Sequence, residues 1–140
     1  MLFRRKASVA ALIDAFNAHD RAAVEGLLAP DVRFVDRDGV ELVGREEILA
    51  LLDQMFASPR GFRHRLDRIT RRAGGDLATL TVFHSLAPEG ERLLWRVRYK
   101  RRKIAFLEAF RDGAMEGIAT LFPSDRNEMR PRTLPLRAAG

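Results

Sequence analysis

The chain has 140 residues, of which 46% are hydrophobic and 31% charged, the profile of one globular domain with material for a core. There is no cysteine, which excludes disulfides, thiolate metal sites and cysteine nucleophiles and makes a reducing compartment, the cytoplasm, the expected location. The formal net charge of +6 suggests an anionic partner, but the arginines are spread from Arg4 to Arg137, so nucleic acid is not the expected ligand.

The opening MLFRRKASVAALIDAF has a basic start and an apolar run, yet Asp14 interrupts it, and it reads as a helix of the mature protein rather than a leader. No apolar run approaches the roughly 20 residues that a membrane-spanning helix needs, so no membrane association is expected. Val9, Leu12, Ile13 and Phe16 recur at spacings of three and four, which predicts an amphipathic helix over 7–17 that stops near NAHD. Asp20 is placed to cap a second helix carrying Val24, Leu27 and Leu28, which Pro30 should end. VRFV then reads as a strand, DRDG as a turn and VELV as its hairpin partner, because Asp and Gly tolerate the backbone of a tight turn. A third helix follows from Arg45 to about Phe56, with Ile48, Leu52 and Met55 on one side.

The second half predicts four antiparallel strands near 62–72, 77–86, 91–101 and 104–111, with turns at AGGD (73–76) and APEG (87–90). In the third of these, Leu93, Trp95, Val97 and Tyr99 alternate with Leu94, Arg96, Arg98 and Lys100, giving one apolar and one largely cationic face. Residues 112–123 would complete a domain over 1–123, and the proline- and arginine-containing stretch 124–140 reads as a mobile tail or an arm that orders on a neighbour. Three helices followed by a curved antiparallel sheet make an α+β fold, a cone able to enclose a pocket.

The segment AFNAHDRAAVEGLLAPDVRFVDRDGVELVGREEILALL resembles the opening of the NTF2-like superfamily, and especially its SnoaL-like branch, which includes polyketide cyclases and ketosteroid-isomerase-like proteins. Phe16, Asn17, Asp20, Pro30, Asp31, Phe34, Asp36, Gly39, Gly44, Arg45 and Glu46 carry the likeness, and KIAFLEAFRD looks like the family's last strand. The resemblance implies a cone with a ligand pocket but not one reaction, since the fold hosts many. Asp36 and Gly39 match the slot of the proton-moving carboxylate of isomerase-like members, whereas Leu12 and Trp95 stand where their oxyanion-hole tyrosine and acid would be. The positions of the arginine and acids of epoxide-hydrolase-like members fall on Val82, His84 and Ala109. Ala109 also takes the carboxylate slot of the cyclases, with Asp112 just beyond it.

What the resemblance leaves is a pocket with Asp36 and His84 as its candidate catalytic residues. Leu12, Phe16, Val82 and Trp95 are expected walls, together with Val97, Leu107 and Ala109. A carboxylate beside an imidazole in an apolar cavity is a workable acid/base pair acting on a small apolar molecule. The competing reading makes Asp36 a turn former and His84 a structural hydrogen-bonder, and the protein a non-catalytic ligand-binding or dimerisation module. A third reading takes the basic strand faces as an anion site.

His19 is expected in solvent, and the face of His64 depends on the register of the 73–76 turn. The three histidines lack metal-ligand spacing, and no phosphate loop or dinucleotide fingerprint is present, so neither metal nor cofactor is expected. Glu108, on the face away from the pocket, is expected to pair with Arg96 or Arg98. Phe106 and Phe110 on that face suggest a homodimer.

Overall fold

In a computed structural model the described residues are 6–111, so the expectations for Asp112, residues 112–123 and the 124–140 tail lie outside them. Helix α1, Val9–Asn17, is capped by Ser8, whose hydroxyl accepts from Ala11 N at 3.0 Å. Helix α2, Arg21–Leu27, is capped as anticipated by Asp20, which accepts from Ala23 N at 3.0 Å. Strand β1, Leu28–Val35, starts earlier than the sequence suggested and runs through Pro30. Its pairing is irregular between Leu28 and Arg33, which is where a residue without an N–H can be accommodated.

A tight turn leads to β2, Glu41–Val43, and helix α3, Arg45–Ala57, follows. The sheet is completed by β3 (Arg63–Arg72), β4 (Gly75–His84), β5 (Ala87–Lys100) and β6 (Lys103–Arg111). The strand order is β2-β1-β6-β5-β4-β3. All neighbours are antiparallel except β1 and β6, whose parallel pairing joins the first half of the chain to its last described strand.

Two turns differ from the sequence reading. The β4–β5 reversal falls at Ser85 and Leu86 rather than at APEG, whose residues belong to β5; Pro88 and Gly90 sit beside a register shift between Val82 and His84. The β5–β6 reversal uses Arg101 and Arg102, both at positive φ (52° and 70°), the backbone of a two-residue hairpin. Of the glycines, Gly75 is the most constrained: at φ 148°, a Cβ there would run into the Val97 carbonyl oxygen.

The three helices cover one face of the sheet, and the main core forms between them, with Val9, Leu12, Val24, Leu80, Val97 and Ile104 all at or below 1% exposure. On the other face Leu94, Phe106 and Phe110 are also buried. Within it the expected ion pair is present: Arg96 Nη2 lies 2.8 Å from Glu108 Oε1, both side chains buried. Strict alternation along β6 would put Ile104 on the face of Phe106, but it faces the helices, because the β5–β6 register shifts between Arg98 and Tyr99 and leaves Ala105 as the extra residue.

Candidate functional site

The helices and the concave sheet face do not close completely on each other. Between them lies a cavity of about 600 Å³, walled by Leu12 and Phe16 of α1, Val24 of α2, Ile48, Leu52 and Met55 of α3, and the inward side chains of the sheet. Of the expected walls, Leu12, Phe16, Val82, Trp95, Leu107 and Ala109 all line it. Val97 shares their face of the sheet but is fully buried in the packed core and does not reach the cavity.

The exposed Leu51 and Leu86 border the cavity, and most of its polar groups gather near the β1–β2 and β4–β5 turns: Asp36, Arg37, Asp38, Arg60, His84 and Glu91. Asp36 and His84 therefore border the same cavity. Asp36 also makes its turn: Oδ1 accepts from the amides of Asp38 and Val40, each at 2.9 Å, and Gly39 N donates to its carbonyl at 2.9 Å. Its other carboxylate oxygen, Oδ2, has no hydrogen-bond partner among the described residues.

His84 ends β4, its side chain 10% exposed, with Phe62 5.1 Å away between ring centroids. Its Nδ1 accepts from Leu86 N at 3.3 Å, which places the proton of the neutral ring on Nε2, 3.6 Å from Glu91 Oε1. Arg37 Nη1 reaches the same Glu91 oxygen at 3.1 Å, so a chain Arg37–Glu91–His84 ties the β1–β2 turn to the start of β5. Burial pushes the Glu91 carboxyl up, but Arg37 and His84 outweigh it and hold Glu91 below its ordinary value. Neither Arg37 nor Glu91 stood out in the sequence, because one lay in an apparent surface turn and the other began a strand of unassigned face.

His64 is the other residue the sequence left open. It points inward, packed against Phe16 (5.2 Å, edge-on) and Trp95 (6.3 Å). The Asn17 side chain holds its backbone from both sides, Nδ2 donating to His64 O and Oδ1 accepting from His64 N, each at 2.8 Å. This clasp fastens the end of α1 to β3 and accounts physically for the asparagine before Asp20. Burial lowers the His64 pKa from 6.5 to about 4, so the ring is neutral near pH 7. His19 is exposed as expected and stacks on Phe56 at 4.5 Å.

The arginine-rich strands are largely committed to local partners. Arg63 and Arg65 lie over the Phe83 ring, Arg65 pairs with Asp67, Arg71 lies 3.7 Å from Asp76, and Arg96 is inside the outer face. Among the described residues no group of three or more His, Asp or Glu side chains is arranged to hold a metal ion, and no helix is long and apolar enough to cross a membrane.

Three helices on the concave side of a six-stranded, unclosed sheet, with a cavity between them, define an NTF2-like α+β cone. The model of the SnoaL-like domain matches residues 9–100, and the chain belongs to that family. Among solved structures, it is similar to a proposed polyketide cyclase of Sinorhizobium meliloti, at 22% identity over 72% of this chain and 91% of that one, with a TM-score of 0.66. An LEH-like epoxide hydrolase from M. tuberculosis is 20% identical over 83% of this chain and 93% of its own, with a TM-score of 0.64. A protein of ketosteroid-isomerase-like fold from Catenulispora acidiphila, solved with trimethylamine, is 19% identical over 73% and 82%, with a TM-score of 0.63. At these identities the likeness establishes the fold. No curated protein matches the sequence.

Proposed function

We propose that the protein takes a small, mainly apolar molecule into the cone and moves a proton on it without a cofactor, as a cyclase, isomerase or lyase-type acid/base catalyst does. The observation that carries this reading is the placement of Asp36, His84 and Glu91 along one apolar cavity of about 600 Å³, a volume suited to a small organic ligand. Asp36 Oδ2 takes a proton from the ligand and His84 gives one to it, and the two groups are reset by proton exchange with solvent once the product leaves. Sealing by an apolar ligand would remove water from these groups and strengthen their interactions. A homodimer formed through the outer face of the sheet, in the cytoplasm, belongs to the same proposal.

A non-catalytic binding module is the second reading, and one observation favours it: Asp36 Oδ1 and His84 Nδ1 are already occupied by backbone amides of their own turns. Turnover separates the two. With a β,γ-unsaturated ketone and an aryl epoxide as probe substrates, the catalytic reading expects measurable conversion that falls on the order of 100-fold in Asp36→Asn and in His84→Gln. Conversion unchanged in both variants refutes the acid/base pair, and binding without conversion in the wild type establishes the second reading.

A further inference from the structure

Among the described residues that line the cavity, His64 is a polar side chain that the proton-moving groups near the turns leave unused. His64 lines the cavity beside Phe16, which it meets edge-on, and the tilted Trp95 ring, and its Nδ1 is buried without a hydrogen-bond partner. Protein interiors rarely leave such an atom unsatisfied, because its desolvation is then uncompensated. The ring does not sit there by default: Asn17 pins the His64 backbone with two hydrogen bonds of 2.8 Å, and the two aromatic rings fix its plane. A leucine or phenylalanine would fill the same space at no polar cost.

We propose that His64 is the interior polar anchor of this cavity, and that the ligand it recognises is an apolar ring molecule carrying a hydroxyl group, a phenol or enol in chemical class. The inference rests on the cavity reading above and specifies its ligand. Nδ1 is enclosed by protein, so Nε2 is the nitrogen that a ligand in the cavity can reach; a hydroxyl both donates and accepts, and therefore matches Nε2 in either tautomer of the neutral ring. Burial keeps the ring neutral, which leaves no charge to offset a carboxylate or an ammonium group brought to this depth. Phe16 and Trp95 offer their ring faces and edges to the flat body of such a molecule, as aromatic pairs prefer.

The test is a two-by-two calorimetric comparison: wild type and His64→Leu, each titrated with 2-naphthol and with naphthalene. In the wild type the hydroxyl should improve binding by about tenfold over the hydrocarbon, one buried hydrogen bond's worth, and His64→Leu should erase that advantage while retaining naphthalene. A side-chain ¹⁵N spectrum of the wild type needs no substitution and should show the His64 ring nitrogens shifting with naphthol and not with naphthalene. Equal binding of both compounds by the wild type, or a naphthol advantage that survives His64→Leu, overturns the anchor while leaving the cavity reading intact. Failure of both compounds to bind the folded wild type overturns the cavity reading and the anchor with it.

Discussion

The burial of His64 makes stability depend on pH in a way that one substitution isolates. In the unfolded chain the imidazole titrates at 6.5, whereas in the folded protein desolvation lowers the value to about 4. Between those two values the unfolded state binds more protons than the folded one, so folding loses stability as the pH falls. Above 6.5 the ring is neutral in both states and the His64 contribution is fully present; it is lost as the pH drops from there toward 4. With about 1.4 kcal/mol per unit, the shift sets an upper bound of about 3.5 kcal/mol on the loss. Other carboxylates and histidines titrate over the same window, so the comparison must be with His64→Leu, which shares all of them. Urea unfolding of both proteins at about pH 7 and about pH 4.5 should show the wild type losing about 2 to 3 kcal/mol more than the variant. Parallel losses in the two proteins would refute the account of His64 as a desolvated, neutral ring.

Asp36 offers a second stability test, because its Oδ1 accepts two turn amides that Asn can still serve and Ala cannot. Asp36→Ala should cost about 1–2 kcal/mol in urea unfolding and Asp36→Asn distinctly less, so that any loss of turnover in the Asn variant is chemical rather than structural. On the outer face, Glu108→Ala removes the carboxylate 2.8 Å from the buried Arg96 and should destabilise by about 3 kcal/mol, and the double variant Arg96→Met/Glu108→Leu should recover most of that. Thermal unfolding of the single and double variants reads this directly; equal loss in both would show that the pair is not the dominant interaction there. Gly75→Ala places a Cβ against the Val97 carbonyl at a backbone angle that L residues avoid, and should cost about 2 kcal/mol or more, measured by chemical unfolding.

Much of the fold was legible because periodicity and capping chemistry are local. The stripe Val9, Leu12, Ile13, Phe16 and the Asp20 cap gave the first two helices within a few residues, and the alternation at Leu93–Trp95–Val97 gave the inner face of β5. Errors arose where a single inserted residue changes parity. The extra Ala105 turned Ile104 toward the helices, and the register shift near Val82 moved the β4–β5 turn from APEG to Ser85 and Leu86. No local signal marks Ala105, whereas Pro88 and Gly90 read as turn formers although they sit beside a register shift within the pairing.

The cavity was readable to a similar extent. Six of its expected walls follow from strand and helix faces, while Val97 is correct in face and wrong in depth, since distance along a strand from the opening is a tertiary property. Arg37 and Glu91 were missed, and the face of His64 was left open, for the same reason: the first two meet across 54 residues, and His64 is held by a clasp from Asn17 across 47. Arg96 and Glu108 were found because antiparallel neighbours in a β5–β6 hairpin are predictable from a short loop.

The central claim, that the cone receives a small apolar molecule, is tested most directly by the indole N–H of Trp95. The chain has one tryptophan, so its ¹H–¹⁵N spectrum contains a single side-chain indole peak, and that ring lies on the cavity wall. Titration with 2-naphthol should move this peak saturably together with the backbone peaks of Val82, Leu107 and Ala109, leaving Arg68 and Ile69 on the exposed part of β3 unchanged. An indole peak that stays in place through millimolar ligand, or shifts that spread evenly over the surface without saturating, would contradict it.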